Sequence, residues 1–130
     1  MRFLLMIKAD KNFEAGLPPE PQEKFGELMA AIAKFSEDMT KRGILLATDG
    51  LAPSSQGTRI MAANGKLSRV DGPFAETKEL IAGYALIRAD SREEAVDVAE
   101  QFIKLHQDVL GPTWEGIGEV RQVFGPSDYV

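Results

Sequence analysis

The chain has 130 residues, and its 15 Lys and Arg against 20 Asp and Glu give a formal net charge of −5. It contains no cysteine, which excludes disulfides, cysteine nucleophiles, iron–sulfur clusters and cysteine-bound zinc. The acidic balance argues against nucleic acid or an anionic membrane as the main partner. With 44% apolar residues at this length, we expect one domain, residues 1–130, built around a hydrophobic core.

The first predicted element is a strand at Phe3–Ile7, a continuous apolar run typical of a strand that is buried on both faces. This run is too short for a signal peptide, and no window approaches the roughly 20 apolar residues of a spanning helix. We therefore expect a cytoplasmic protein without a membrane partner. Residues 14–21 are rich in proline and are predicted to form a loop.

A long helix is predicted after this loop. It ends at Gly43, a natural helix stop. Acidic residues near its start and basic residues near its end suit the helix dipole. Its apolar residues recur every three or four positions and form one stripe: Phe25, Leu28, Met29, Ile32, Phe35 and Met39.

Three strands are predicted in the middle of the chain. The first is Ile44–Leu51. Asn64-Gly65 then separates Thr58–Ala63 from Leu67–Val70, and Asn-Gly between two short strands is a strong hairpin signal.

The last third of the chain predicts a strand, a helix and a strand. Leu80–Ala89 is the first strand, and Ser91 with Glu94 forms a capping box that starts the helix. Gly111-Pro112 ends that helix, and Glu119–Phe124 is the closing strand. The resulting order β-α-β-hairpin-β-α-β predicts an α+β, ferredoxin-like fold, with an antiparallel sheet and both helices on one face.

The face of the sheet opposite the helices is expected to be apolar. In the first strand Leu4 and Met6 alternate with Phe3, Leu5 and Ile7, so both faces are apolar. An exposed patch of this kind needs a cover. We predict a homodimer packed sheet to sheet, with a cavity between sheet and helices or at the dimer face. The alternative is that the chain's own loops fold over the face.

The segment Asp71-Gly72-Pro73-Phe74 resembles the DGPF motif of the YCII-related protein family. The similarity extends over most of the chain, including the first strand, the Asn-Gly hairpin, Gly83-Tyr84 and Glu119-Val120-Arg121. The resemblance implies a dimeric α+β barrel of ferredoxin-like subunits.

The same resemblance implies little about activity, because most members of the family have no established one. Some are encoded beside extracytoplasmic-function sigma factors or fused to them, which implies a regulatory context. A distant enzymatic branch resembles small-molecule lyases and uses a His–Asp pair, with the histidine shortly after the first strand. Residues 9–20 of this chain contain no histidine.

Two residues are candidates for acid–base catalysis. Asp71 is interpreted either as a turn residue or as a general base whose pKa a buried site would raise. His106, the single histidine, lies on the apolar stripe of the second long helix. It is either a structural buried histidine or a general acid–base paired with Asp108 or Asp71.

Further residues are candidates for substrate binding. Lys78 could hold an anionic substrate, with a solvated loop as the alternative reading. Arg121 is predicted to lie on a strand near the sheet centre and to clamp a carboxylate, with an outward-facing arginine as the alternative. The full set of candidates is Phe74, Glu76, Lys78, Tyr84 and Arg121.

No cofactor and no metal site are expected, although carboxylate-only metal binding stays open. One histidine cannot form a paired-histidine zinc site, and the phosphate-loop, dinucleotide and serine-hydrolase motifs are absent. The sequence favours a cofactor-independent lyase or isomerase acting on a small molecule. The alternatives are a ligand-binding or regulatory module acting with a sigma factor, and a purely structural dimer.

Overall fold

The computed structural model describes residues 1–75 and 79–129. In this part of the chain it has six strands, three α-helices and short 3₁₀ turns. The strands are β1 (Arg2–Lys8), β2 (Leu45–Gly50), β3 (Thr58–Ala63), β4 (Lys66–Asp71), β5 (Ile81–Arg88) and β6 (Gly118–Val123). The helices are α1 (Lys11–Glu14), α2 (Phe25–Lys41) and α3 (Arg92–Leu110).

Four strands form an antiparallel sheet in the order β2-β5-β1-β6. This order, with α2 following β1 and α3 following β5, is the ferredoxin-like arrangement that the sequence predicts. The core lies between the sheet and the two long helices, where Phe3 and Ile87 pack with Met39 of α2 and Val98 of α3. The apolar β1 takes a central position because it pairs on both sides.

The sheet order corrects one prediction. The sequence places Arg121 near the sheet centre, but β6 is an edge strand in the described sheet and pairs with β1. The Arg121 side chain is 73% exposed, and its Nε lies 3.8 Å from Glu119 Oε2. The prediction fails because β1, which is more apolar than β6, occupies the interior of the sheet together with β5.

The predicted hairpin is confirmed with nearly the predicted bounds. β3 and β4 pair from Thr58↔Asp71 to Ala63↔Lys66, and Asn64 and Gly65 close the turn with φ of 54° and 74°. This pair forms a sheet of its own, and every one of its residues is exposed.

Side-chain caps fix two helix starts. Ser91 accepts a hydrogen bond from the Glu94 backbone N–H at 3.2 Å, as the capping box predicts, whereas Glu94 Oε2 accepts from the Asp90 N–H at 2.9 Å. Helix α1 was not predicted. It forms because Asp10 caps it, accepting from the Phe13 N–H at 2.8 Å.

The face of the sheet opposite the helices is apolar at its centre, as predicted. Leu4 lies across from Leu86, and Met6 lies across from Tyr84 in the β1–β5 pair. Cross-strand partners share a face, so these four side chains form one patch. No helix within the described ranges is long and apolar enough to cross a membrane.

The segment before the hairpin is tied to the segment after it through Ser54. The Glu14 carboxylate accepts hydrogen bonds from the Ser54 backbone N–H, at 2.9 Å, and from its hydroxyl. The Ser54 hydroxyl in turn accepts from the Phe74 N–H at 3.0 Å. The chain passes so close to Ser54 that a Cβ at Gly72 would overlap the Ser54 carbonyl oxygen. Glycine is therefore required at Gly72 for packing.

Gly72→Ala tests this packing requirement. We expect it to lower the free energy of unfolding by at least about 2 kcal/mol, because backbone must move to admit the methyl group. The matched control is Gly26→Ala in α2, where a Cβ would meet nothing within 4 Å. Alanine should leave stability unchanged or raise it there by roughly 0.5–1 kcal/mol. Urea denaturation measures both changes, and equal stability of the two variants would contradict the packing argument.

Candidate functional site

The principal cavity of the described structure lies between the helices and the sheet and has a volume of about 840 Å³. That volume is within the range of small-molecule sites in proteins. Leu5, Ile7, Ala85 and Ile87 of the sheet line it on one side. The apolar stripe of α2 lines the other side: Phe25, Leu28, Met29, Ile32, Phe35 and Met39.

The stripe of α2 is only partly used as core. Leu28 and Met39 are its buried residues, whereas Phe25 is 37% and Met29 41% exposed. Leu17, also on the cavity lining, is 50% exposed. The cavity therefore opens to solvent beside the first half of α2, where apolar side chains face space instead of close-packed neighbours.

His106 reaches this cavity from α3 and is 9% exposed. Its Nδ1 lies 2.9 Å from the Phe102 carbonyl oxygen. A carbonyl oxygen only accepts, so Nδ1 carries the hydrogen and the neutral ring has its lone pair on Nε2. Among the residues that the structure describes, Nε2 has no hydrogen-bond partner.

Aromatic rings hold the imidazole in place. The Phe102 ring meets it edge-on at 4.8 Å and 74°, and the Trp114 ring stacks on it at 5.2 Å and 24°. Burial among these groups lowers the pKa of His106 from 6.5, although its hydrogen bond to the Phe102 carbonyl acts in the opposite direction. The ring is therefore neutral at physiological pH, and Nε2 can accept a hydrogen bond or a proton.

A smaller, polar cavity of about 430 Å³ adjoins the apolar one. The two share Asp10, Trp114 and Glu115. Glu20 and Asn12 also line the smaller cavity. The apolar cavity therefore adjoins a group of acidic residues at these shared side chains.

The carboxylates predicted to work with His106 lie elsewhere. Asp71 ends β4, is exposed, and accepts a hydrogen bond from Thr58 Oγ1 at 2.8 Å. Asp108 binds Lys104 Nζ at 2.9 Å on the solvent side of α3. Neither is among the described lining residues of the two cavities. The structure thus does not bring Asp71 and His106 together.

Two further candidates, Tyr84 and Phe74, lie in different parts of the structure. Tyr84 is among the residues that border the apolar cavity, but its side chain lies on the opposite face of the sheet, where its hydroxyl donates to Asp49 Oδ2 at 3.4 Å. Phe74 is half-buried, and the Arg59 guanidinium lies 3.9 Å from its ring centre, which places Phe74 at the base of the hairpin.

Two candidates cannot be placed. Glu76 and Lys78 lie outside the described residues. In the described ranges, no group of three or more His, Asp or Glu side chains is arranged to hold a metal ion.

Trp114 and Phe13 are site residues that the sequence interpretation missed. Both lie in irregular or one-turn segments without periodicity, so no pattern assigned them to the core. The sequence contains one signal for Trp114, the helix stop at Gly111-Pro112. In the structure Gly111 ends α3 with a φ of 105°, and the chain turns back toward the helix face that carries His106.

The lowered pKa of His106 predicts a pH-dependent stability. The unfolded chain binds the imidazole proton more tightly than the folded chain, so the folded state loses stability as pH falls below 6.5 through the folded pKa. We expect the stability advantage of the wild type over His106→Gln to shrink between pH 7.5 and pH 5. The slope of this difference approaches about 1.4 kcal/mol per pH unit where only the unfolded state is protonated.

Paired urea titrations of the two proteins at each pH measure this difference and cancel the titration of shared carboxylates. A difference in unfolding free energy that stays constant over the range would contradict the assignment.

Comparisons with known proteins identify the family of the chain and assign it no activity. The YCII-related domain model matches residues 1–110. A protein of Rhizobium meliloti (strain 1021), described as uncharacterised, is 27% identical over 102 residues, covering 78% of this chain and 80% of the relative. The family match includes β1, the hairpin, the Asp71-Gly72-Pro73-Phe74 motif and His106. The chain therefore belongs to the YCII-related family.

Proposed function

We propose that the chain binds a small, largely apolar molecule in the cavity between α2 and the sheet. His106 Nε2 accepts a hydrogen bond from this ligand. The observation that carries the proposal is a solvent-accessible ring nitrogen with an available lone pair, on a largely buried residue that lines an apolar cavity of about 840 Å³. A cavity of this type with a few polar groups is the usual form of a small-molecule site.

The energetics favour an apolar ligand. Each methylene group removed from water contributes roughly 0.8 kcal/mol. An eight-carbon chain buried against α2 would gain roughly 6 kcal/mol, which offsets a substantial part of the entropy lost on binding. The ligand would also cover the exposed parts of Phe25 and Met29, which otherwise remain in contact with water.

Binding has more support than catalysis. A lyase or isomerase of the predicted type needs an acid and a base at one point of the cavity, and His106 is there while Asp71 is not. The described lining also includes two exposed carboxylates, Asp10 and Glu115. The lyase or isomerase activity and the association with a sigma factor stay predictions.

Ser36→Phe tests the binding proposal. Ser36 lies on the cavity side of α2, and phenylalanine there would occupy part of the space. The matched control is Ala30→Phe, on the exposed side of the same helix. N-phenyl-1-naphthylamine is a suitable probe because it is neutral and apolar and carries one N–H donor.

We expect energy transfer from Trp114, the single tryptophan, to the bound probe. Ser36→Phe should weaken probe binding at least about tenfold, since roughly 1.4 kcal/mol of apolar contact suffices for that change. Ala30→Phe should bind like the wild type. Equal affinity of all three proteins would place the probe elsewhere and contradict the proposal.

We also propose that a second copy of the chain covers the opposite face of the sheet. Leu4, Leu86, Met6 and Tyr84 give this face an apolar centre, and Arg121 and Glu119 give it a charged rim. An apolar centre with a polar rim is the usual anatomy of a protein interface. This arrangement supports a homodimer packed sheet to sheet.

Sedimentation equilibrium at micromolar concentration tests the dimer. We expect a particle of twice the 14.2 kDa chain mass. Leu86→Lys should shift the population to the single chain, because it introduces a charge at the centre of the interface. Ala30→Lys, on exposed α2 surface, should leave the dimer intact. A wild-type particle of 14.2 kDa would rule the dimer out.

A further inference from the structure

The two adjoining cavities carry an inference about ligand chemistry, which rests on the proposed binding function. We propose that the ligand is an amphiphilic cation, such as a primary amine on an apolar chain. Its chain lies in the apolar cavity against α2, and its ammonium group lies among the adjoining acidic residues, beside Trp114 and Glu115.

The first support is the charge of the site. In the smaller cavity the charged lining residues among those described are Asp10, Glu20 and Glu115, all acidic. The lining of the apolar cavity also includes Asp49 and Lys8, but the Asp49 carboxylate accepts from the Tyr84 hydroxyl on the opposite face of the sheet and adds no charge to the site. The Lys8 ammonium lies 3.4 Å from Glu119 Oε1, so its charge is already paired. The site as a whole therefore favours a positive ligand over a negative one.

The second support is the hydrogen-bonding capacity of the same residues. Carboxylates and the neutral His106 Nε2 only accept hydrogen bonds. The Asn12 amide uses one N–H on the Pro18 carbonyl oxygen, at 3.4 Å. An ammonium group has three donors and no acceptor, which complements this set. Among the side chains of the smaller cavity, a carboxylate ligand would find donors only in Asn12, Thr113 and Trp114, and it would face three carboxylates.

The position of His106 distinguishes this site from an ordinary acidic surface. The residue is 9% exposed and lines the apolar cavity, and its unpaired Nε2 is accessible to solvent, since no buried side-chain nitrogen of the described residues lacks a partner. Trp114 stacks on its ring and lines both cavities, so the imidazole and the acidic residues both adjoin the indole. The indole also provides a π surface on which a cation is favoured.

Competition with three ligands of equal chain length tests the proposal. Octylamine, octanol and octanoate displace N-phenyl-1-naphthylamine at pH 7.5, each below its micelle concentration. We expect octylamine to bind roughly fivefold more tightly than octanol, the size of effect that partly exposed charges produce. Octanoate should bind more weakly than octanol. Raising the salt concentration should reduce the advantage of the amine, since the charges at the rim are screened.

A matched pair of variants locates the effect. Glu115→Gln removes one charge from both cavities, and Glu100→Gln removes one from the exposed surface of α3, outside either lining. We expect the octylamine-to-octanol affinity ratio to fall roughly threefold in Glu115→Gln and to stay unchanged in Glu100→Gln. Octanol affinity should be the same in both variants.

The outcomes separate the two proposals. If octanol displaces the probe but octylamine binds no better, or octanoate binds best, the cation assignment is wrong and the cavity remains a binding site. If the octylamine-to-octanol affinity ratio falls equally in Glu115→Gln and Glu100→Gln, the preference for the amine comes from the net charge of the protein, and the cation assignment also fails. If the probe does not bind the wild type at all, the binding function itself fails.

Discussion

The space between α2 and the sheet is not filled by side chains, and the rest of the account depends on this constraint. Helix α2 has a full apolar stripe, but its buried residues are Leu28 and Met39. A closely packed interior would bury the whole stripe, because protein interiors approach crystal density. The apolar residues of the first half of α2 are instead held beside a cavity of about 840 Å³.

Because this space is unfilled, the neutral His106 side chain can offer Nε2 to a ligand as a hydrogen-bond acceptor. Burial lowers its pKa, and the Phe102 carbonyl assigns the hydrogen to Nδ1, so a neutral acceptor faces an otherwise apolar wall. Polar groups in such surroundings contribute most when a ligand completes their hydrogen bonds. The acidic residues Asp10, Glu20 and Glu115 then supply the second element of ligand selection.

The sequence predicts the fold well and the site only in part. Periodicity, the Asn64-Gly65 turn and the Ser91 cap define elements within a residue or two, since each depends on local chemistry. The stripe of α2 has the same pattern whether it fills a core or lines a cavity. Contacts between distant segments, such as Ser54 with Glu14, leave no local pattern at all, and the stacking of Trp114 on His106 has only the helix stop at Gly111 as a signal. The sequence likewise does not show whether Asp71 and His106 lie close together, because that distance depends on the fold.

Xenon binding tests the unfilled space most directly, since apolar cavities bind xenon without help from charge or hydrogen bonds. Methyl resonances of the protein would be followed as xenon pressure rises. The account predicts saturable shifts at Ile32 and Leu28 on the cavity wall, and only weak linear shifts at Leu67, which is 78% exposed on the hairpin. Linear, unsaturable shifts at all three residues would show that α2 closes against the sheet and would contradict the account.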